Sequence, residues 1–133
     1  MKVGLTASAF DLLHAGHIEM LRDAKAACDY LICALHVDPS RQRPTKNKPV
    51  QSIVERYVQL SGVKPVDEIV PYETEDELAA LILLKKIDVR IIGEEYKDQN
   101  YTGKGLTDEV FYNTRRHAFS SSELRERVYR LQI

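Results

Sequence analysis

An apolar run over residues 2–7 is followed by Ile18, Leu21, Ala24 and Cys28 at helical spacing, and then by a second run, residues 30–37, dense in strand formers. A strand, a helix and a strand joined over this length put the two strands side by side and parallel, because a parallel pair needs a crossover of roughly a dozen residues or more. A β-α-β unit in a parallel sheet is the simplest reading.

The same alternation continues to the end of the chain. Ser52 with Glu55 reads as a capping box opening a helix whose inner face carries Tyr57, Leu60 and Ser61, and residues 68–71 read as a strand. Thr74 with Glu77 repeats the box ahead of Leu78, Leu81 and Ile82, and residues 88–92 read as a buried strand ending at Gly93. Residues 110–113 read as a last strand, and Ser120 with Glu123 caps a terminal helix bearing Leu124, Val128 and Leu131. The prediction is one α/β domain over residues 1–133, a Rossmann-like doubly wound fold with a mainly parallel sheet and ligands beyond the carboxyl ends of its strands.

Charge narrows the partners. Nineteen Lys and Arg stand against 20 Asp and Glu, so the net charge of -1 lacks the basic footprint of a nucleic-acid binder, and any anion held is expected to be small. The opening residues have no basic region followed by an apolar signal core, and no later run approaches a membrane span, so a cytoplasmic protein with no membrane partner is expected. Cys28 and Cys33 lie in apolar stretches without a wider ligand pattern and read as reduced core residues. Residues 38–49 hold three prolines together with Arg41, Arg43, Lys46 and Lys48, which reads as a basic loop able to close over anions.

Chemistry concentrates in Ser8-Ala9-Phe10-Asp11-Leu12-Leu13-His14-Ala15-Gly16-His17, the turn from the first strand into the first helix. A helix start offers unpaired N–H groups and the positive end of the helix dipole, which suit a triphosphate. Gly16 removes a side chain where backbone and phosphate approach. His14 and His17, three residues apart, point to one side of the first turn and can meet one phosphate group, whose charge favours their cationic form. A plainer role stays open, in which His14 caps the helix and His17 occupies a polar first turn. A dinucleotide-dependent oxidoreductase would carry Gly-x-Gly-x-x-Gly in this turn, and that pattern is absent.

Residues 8–17 resemble the His-x-Gly-His signature of the cytidylyltransferase-like nucleotidylyltransferases, most nearly the glycerol-3-phosphate cytidylyltransferases. Further segments resemble the family in the same order: Arg56, residues 66–71, Gly93-Glu94-Glu95-Tyr96, and Arg115 followed by Ser120-Ser121-Ser122. The resemblance implies that the backbone at Ala9 and Phe10, together with Gly16 and Lys48, binds the triphosphate, and that His14 and His17 stabilise the transition state. It further implies that Arg115, Ser120, Ser121 and Ser122 clasp the nucleotide from the other side, with Arg116 beside them. Gly93 and Glu95 would lie near the base, Lys46 and Arg56 would meet the acceptor, and Asp11 would position either Mg²⁺ or the first helix.

Two departures stand out. Ser8-Ala9 occupies the place of the family's usual Gly-Thr, and Leu78 falls among Glu75, Asp76 and Glu77 where the family has a lysine. The expected reaction is Mg²⁺-supported in-line attack of an acceptor phosphate oxygen, with glycerol 3-phosphate as a candidate acceptor, on the α-phosphorus of CTP. Pyrophosphate leaves and no covalent intermediate forms. An adenylyltransferase using ATP and a nucleotide-binding sensor without turnover are the alternatives. The resemblance also implies a homodimer.

Overall fold

The computed structural model describes residues 1–115 and 119–132. In chain order they form β1 (Val3–Ser8), α1 (Ala15–Ala26), β2 (Tyr30–His36), a short 3-10 turn (Pro39–Arg41), α2 (Ile53–Ser61) and β3 (Glu68–Tyr72). There follow α3 (Glu75–Leu84), β4 (Val89–Gly93), a second 3-10 turn (Glu94–Tyr96), β5 (Glu109–Asn113) and α4 (Ser121–Leu131). The strands lie in the order β3-β2-β1-β4-β5 and every neighbouring pair is parallel, so among the described residues the sheet is wholly rather than mainly parallel. Strand order reverses between β1 and β4, and in such sheets the crevice beyond that point is where ligands bind.

Both faces of the sheet are covered, which is why its strands read as continuous apolar runs. Along β2, Leu31, Cys33 and Leu35 pack with Leu21 and Ala24 of α1 and Leu60 of α2. Ile32 and Ala34 pack on the opposite face with Leu78, Leu81 and Ile82 of α3. Cys33 is buried and Cys28 half-buried, both as free thiols, and burial pushes the Cys33 thiol up to about 12. No helix among the described residues is long and apolar enough to cross a membrane.

The caps follow the sequence with one difference. Ser52 Oγ accepts the Glu55 N–H at 3.2 Å while Glu55 Oε1 accepts the Ser52 N–H at 2.9 Å, a complete box. Thr74 Oγ1 accepts the Glu77 N–H at 3.1 Å, yet the Glu77 carboxylate reaches one residue further back to the Glu73 N–H at 2.7 Å. Ser120 Oγ accepts the Glu123 N–H at 3.0 Å.

Helix α2 corrects the expected inner face. Tyr57 is 43% exposed and Ser61 is exposed, while Arg56 is 3% exposed and Leu60 fully buried. The stripe facing the sheet is therefore Ile53, Arg56 and Leu60, with a charged residue at its centre. Arg56 Nε donates to the Gln51 carbonyl at 3.1 Å, Nη1 to the Ala9 and His36 carbonyls at 3.0 and 2.7 Å, and Nη2 to the Val37 carbonyl at 2.6 Å. Its guanidinium ties the ends of β1 and β2 to the start of α2. These carbonyls engage the guanidinium from within the fold, and Arg56 also borders a groove shared with Lys48.

Candidate nucleotide site

The turn from β1 into α1 is held in a conformation that the chain would not adopt unaided. Phe10 has φ 50° and Leu12 φ 52°, the left-handed region that costs a non-glycine residue roughly 1–2 kcal/mol. The surroundings over-determine it. Phe10 is buried to 1% exposure and its N–H donates to Ser8 Oγ at 3.3 Å, while the Leu12 N–H donates to Gln51 Oε1 at 2.8 Å. The Asp11 carboxylate accepts the Val50 and Gln51 N–H groups at 2.8 and 2.9 Å and pairs with Arg125 of α4 at 3.4 Å. Asp11 therefore braces the turn against the segment before α2 and against α4.

His14 and His17 cap α1 reciprocally. His14 Nδ1 accepts the Gly16 N–H at 2.9 Å, and His17 Nδ1 accepts the His14 N–H at 3.1 Å. The rings lie 4.1 Å apart between centroids. A ring nitrogen that accepts carries no hydrogen in the neutral imidazole, so both histidines hold theirs on Nε2. Burial, and secondarily the neighbouring His14, push the His17 imidazole down from 6.5 to about 4 against an opposing pull from Asp11. His17 is thus a neutral Nε2–H donor, and a phosphate beside it would pull the imidazole back toward the cation. His14 Nε2 lies 3.1 Å from Ser121 Oγ at the start of α4. Capping and presentation toward a ligand are not rival roles here, because they use opposite nitrogens of the same rings.

A cleft of about 690 Å³ opens over this helix start, between α1, the ends of β4 and β5, and the start of α4. His14, Gly16 and His17 line one end with Arg115, Ser120 and Ser121, the last two at the helix start as expected. Arg115 donates to the Phe119 carbonyl, which fixes the approach to α4. Gly93 and Glu95 also line the cleft, and the exposed Glu95 carboxylate folds back over Gly93, from which a side chain there would displace it. Of the other expected residues, the Ala9 carbonyl is held by Arg56, Ser122 is exposed and does not line the cleft, and Arg116 lies outside the described residues. Lys46 and Lys48 are exposed on the basic loop and do not line it either; Lys48 borders a separate groove beside Asp38 and Arg41.

The cleft also contains residues that sequence reading did not select. Glu19, Met20 and Asp23 line it from the next turns of α1, and Asn113 and Thr114 line it from the end of β5. Asn113 is 9% exposed and its Oδ1 is buried without a hydrogen-bond partner. The signal that could have found it is positional: residues at the carboxyl end of a strand in this architecture face the ligand crevice.

The sequence model of the family described as cytidylyltransferase-like matches residues 5–127. The chain belongs to the cytidylyltransferase-like family. It is similar to the bifunctional protein HldE of Caulobacter sp. (strain K31), 41% identical over 109 residues, which are 80% of this chain and 22% of that protein. It is likewise similar to the bifunctional protein HldE of Campylobacter jejuni (strain RM1221), 34% identical over 128 residues, 96% of this chain and 28% of that protein. The chain therefore spans only about a quarter of these relatives' length, and their names support the family rather than a glycerol-3-phosphate cytidylyltransferase in particular. A lipopolysaccharide core biosynthesis protein from Thermoplasma volcanium GSS1 shares the fold, with TM-score 0.62 and 22% identity over 100% of this chain and 90% of its own.

Proposed function

We propose that the chain transfers a nucleoside monophosphate from a nucleoside triphosphate to the phosphate of a small acceptor. An acceptor oxygen bonds to the α-phosphorus, the bond from that phosphorus to the bridging oxygen breaks, and pyrophosphate leaves with the electron pair. The reading rests on one observation above all: two imidazoles at a helix start, each with Nδ1 fixed by a backbone N–H, so that Nε2 is the nitrogen each ring turns away from the helix, that of His14 lying 3.1 Å from Ser121 Oγ. Such donors, placed before the ligand arrives, stabilise charge gathering on the phosphoryl oxygens and need no covalent step. Arg115, Ser120 and Ser121 would neutralise and orient the remaining phosphates.

The unpartnered Oδ1 of Asn113 favours a base that presents an amino group. Cytosine and adenine both do, so CTP is the first reading and ATP the second. The described residues contain no group of three or more His, Cys, Asp or Glu side chains able to hold a metal ion, and both Asp11 oxygens are already engaged. These residues do not fit a resident Mg²⁺ cage. A Mg²⁺ ion would arrive on the triphosphate, whose oxygens are its preferred ligands, and no step here is assigned to it.

The test is pyrophosphate release from CTP, ATP, GTP and UTP in turn, each with Mg²⁺ and a panel of small phosphorylated acceptors. Acceptor-dependent release with CTP or ATP alone establishes transfer and assigns the base. Tight binding of a nucleotide without release from any acceptor would point instead to a sensor.

A further inference from the structure

A second cavity, of about 430 Å³, lies on the α3 side of the sheet. Ala7 of β1 and Ile92 of β4 line its mouth, and each directly precedes a residue on the nucleotide side, Ser8 of the phosphate turn and Gly93 of the first cleft. The two cavities thus flank the carboxyl ends of β1 and β4, where strand order reverses. A molecule in the second cavity would approach from the face opposite α1.

Deeper in that cavity sits Arg90, 5% exposed. Its Nη1 donates to the Thr102 carbonyl at 2.6 Å, the Tyr101 ring covers its guanidinium at 5.4 Å, and Nε is buried without any partner. Gly103, at φ 82°, lets the following loop close over it, since a side chain there would strike Ile82 and crowd Nη1. A buried cation normally has an anionic partner; the charge of Glu75 acts favourably on Arg90, but no ion pair joins them among the described residues. Glu75 is the carboxylate lining the cavity, and it pairs with Arg43 at 3.3 Å. Tyr72 and Tyr101 stay neutral, because burial raises both phenols, Tyr101 to about 12 with help from its contact with Tyr112. With two arginines against one carboxylate the cavity lining carries a net positive charge, and Arg90 keeps one buried donor, Nε, that no group of the fold satisfies; a carboxylate is the planar acceptor a guanidinium pairs with best.

We propose that this second cavity is the acceptor subsite and that Arg90 selects acceptors bearing a carboxylate at the end remote from the reacting phosphate. The proposal rests on the transferase reading above and adds to it the class of acceptor. The attacking phosphate would sit at the mouth, near Ala7 and Ile92, with the carboxylate against Arg90.

Two matched pairs of probes test it: 3-phosphoglycerate against glycerol 3-phosphate, and glucuronic acid 1-phosphate against glucose 1-phosphate. Within each pair a carboxylate replaces a hydroxymethyl group. Affinities are measured calorimetrically on the whole chain, with a non-hydrolysable nucleotide bound. In at least one pair the carboxylate member is expected to bind at least tenfold more tightly, and Arg90→Met to abolish that preference while nucleotide affinity stays unchanged. Arg90→Lys, which keeps the charge but loses the planar fork, should retain part of it and provides a second variant if Arg90→Met does not fold. Equal affinities within both pairs overturn the proposal, as does a preference that survives Arg90→Met. Failure of the transferase reading would register separately, as absent pyrophosphate release from every acceptor despite intact nucleotide binding.

Discussion

Arg56 and Arg90 are buried to nearly the same degree, 3% and 5% exposed, on opposite faces of one sheet, yet their surroundings treat the guanidinium differently. Around Arg56 carbonyls converge from the ends of β1 and β2 and from the segment before α2. Around Arg90, which lines a cavity, one carbonyl and an aromatic face are present, and one buried donor is left without a partner. Burial alone does not tell a brace from a binding group. The number of acceptors supplied by the fold itself does, because a guanidinium already satisfied from within has little left to gain from a ligand.

The largest effect that sharpens this contrast is expected at Arg56. Replacing it with Met leaves those carbonyls without their donor, and denaturant unfolding should show a loss of roughly 3–5 kcal/mol. A loss below about 1 kcal/mol would erase the distinction between the two arginines.

Next in size is His17, which belongs to both categories. His17→Ala should lower turnover by about a hundredfold, roughly 2.7 kcal/mol in barrier. It should also cost about 1 kcal/mol of stability through the lost cap on the His14 N–H. Single-turnover kinetics and unfolding curves separate the two, and turnover equal to the parent's would remove His17 from the chemistry.

A pH effect follows from the same ring. Folded His17 titrates near 4, below its ordinary 6.5, so between those values the unfolded chain binds a proton that the folded chain does not. Stability should be complete above about pH 6.5 and decline as pH falls toward 4, and His17→Gln should flatten part of that decline. Buried His36, lowered in the same direction by desolvation, accounts for a remainder. An unchanged slope in His17→Gln would mean that His17 is not held neutral by the fold. The smallest effect is expected at Arg90, where Met should change stability by no more than about 1 kcal/mol, because the desolvated charge is removed along with its one hydrogen bond. A loss as large as that at Arg56 would show Arg90 to be a brace after all.

Much of the fold was legible because it is written in local spacing. The apolar runs of β1, β2 and β4, the stripe of α1 and the Ser52 box each depend on neighbours within a few residues, and the histidine pair at the start of α1 stood out for the same reason. The cap made by that pair was harder to read, since imidazole is not among the usual capping side chains. What could not be read depends on distance along the chain. Arg56 meets carbonyls 20 and 47 residues away, so its position inside an apolar stripe carried no local sign. Asn113 and Thr114 reach the cleft only because β5 pairs beside β4, and the cavity around Arg90 exists only once α3 and the loop after β4 have closed over it.

The reciprocal cap also bears on how such a chain could evolve. Each imidazole serves the helix through one nitrogen and turns the other away from it, so under the proposed function a mutation that silences the chemistry also frays the start of α1. A descendant relieved of its reaction could not let positions 14 and 17 drift freely. It would have to keep the histidines as relics, or exchange His14 for a residue such as Ser or Asp that restores the lost acceptor. The replacement of those rings by ordinary capping residues, rather than their mere loss, is therefore the mark to look for in inactive members of this lineage.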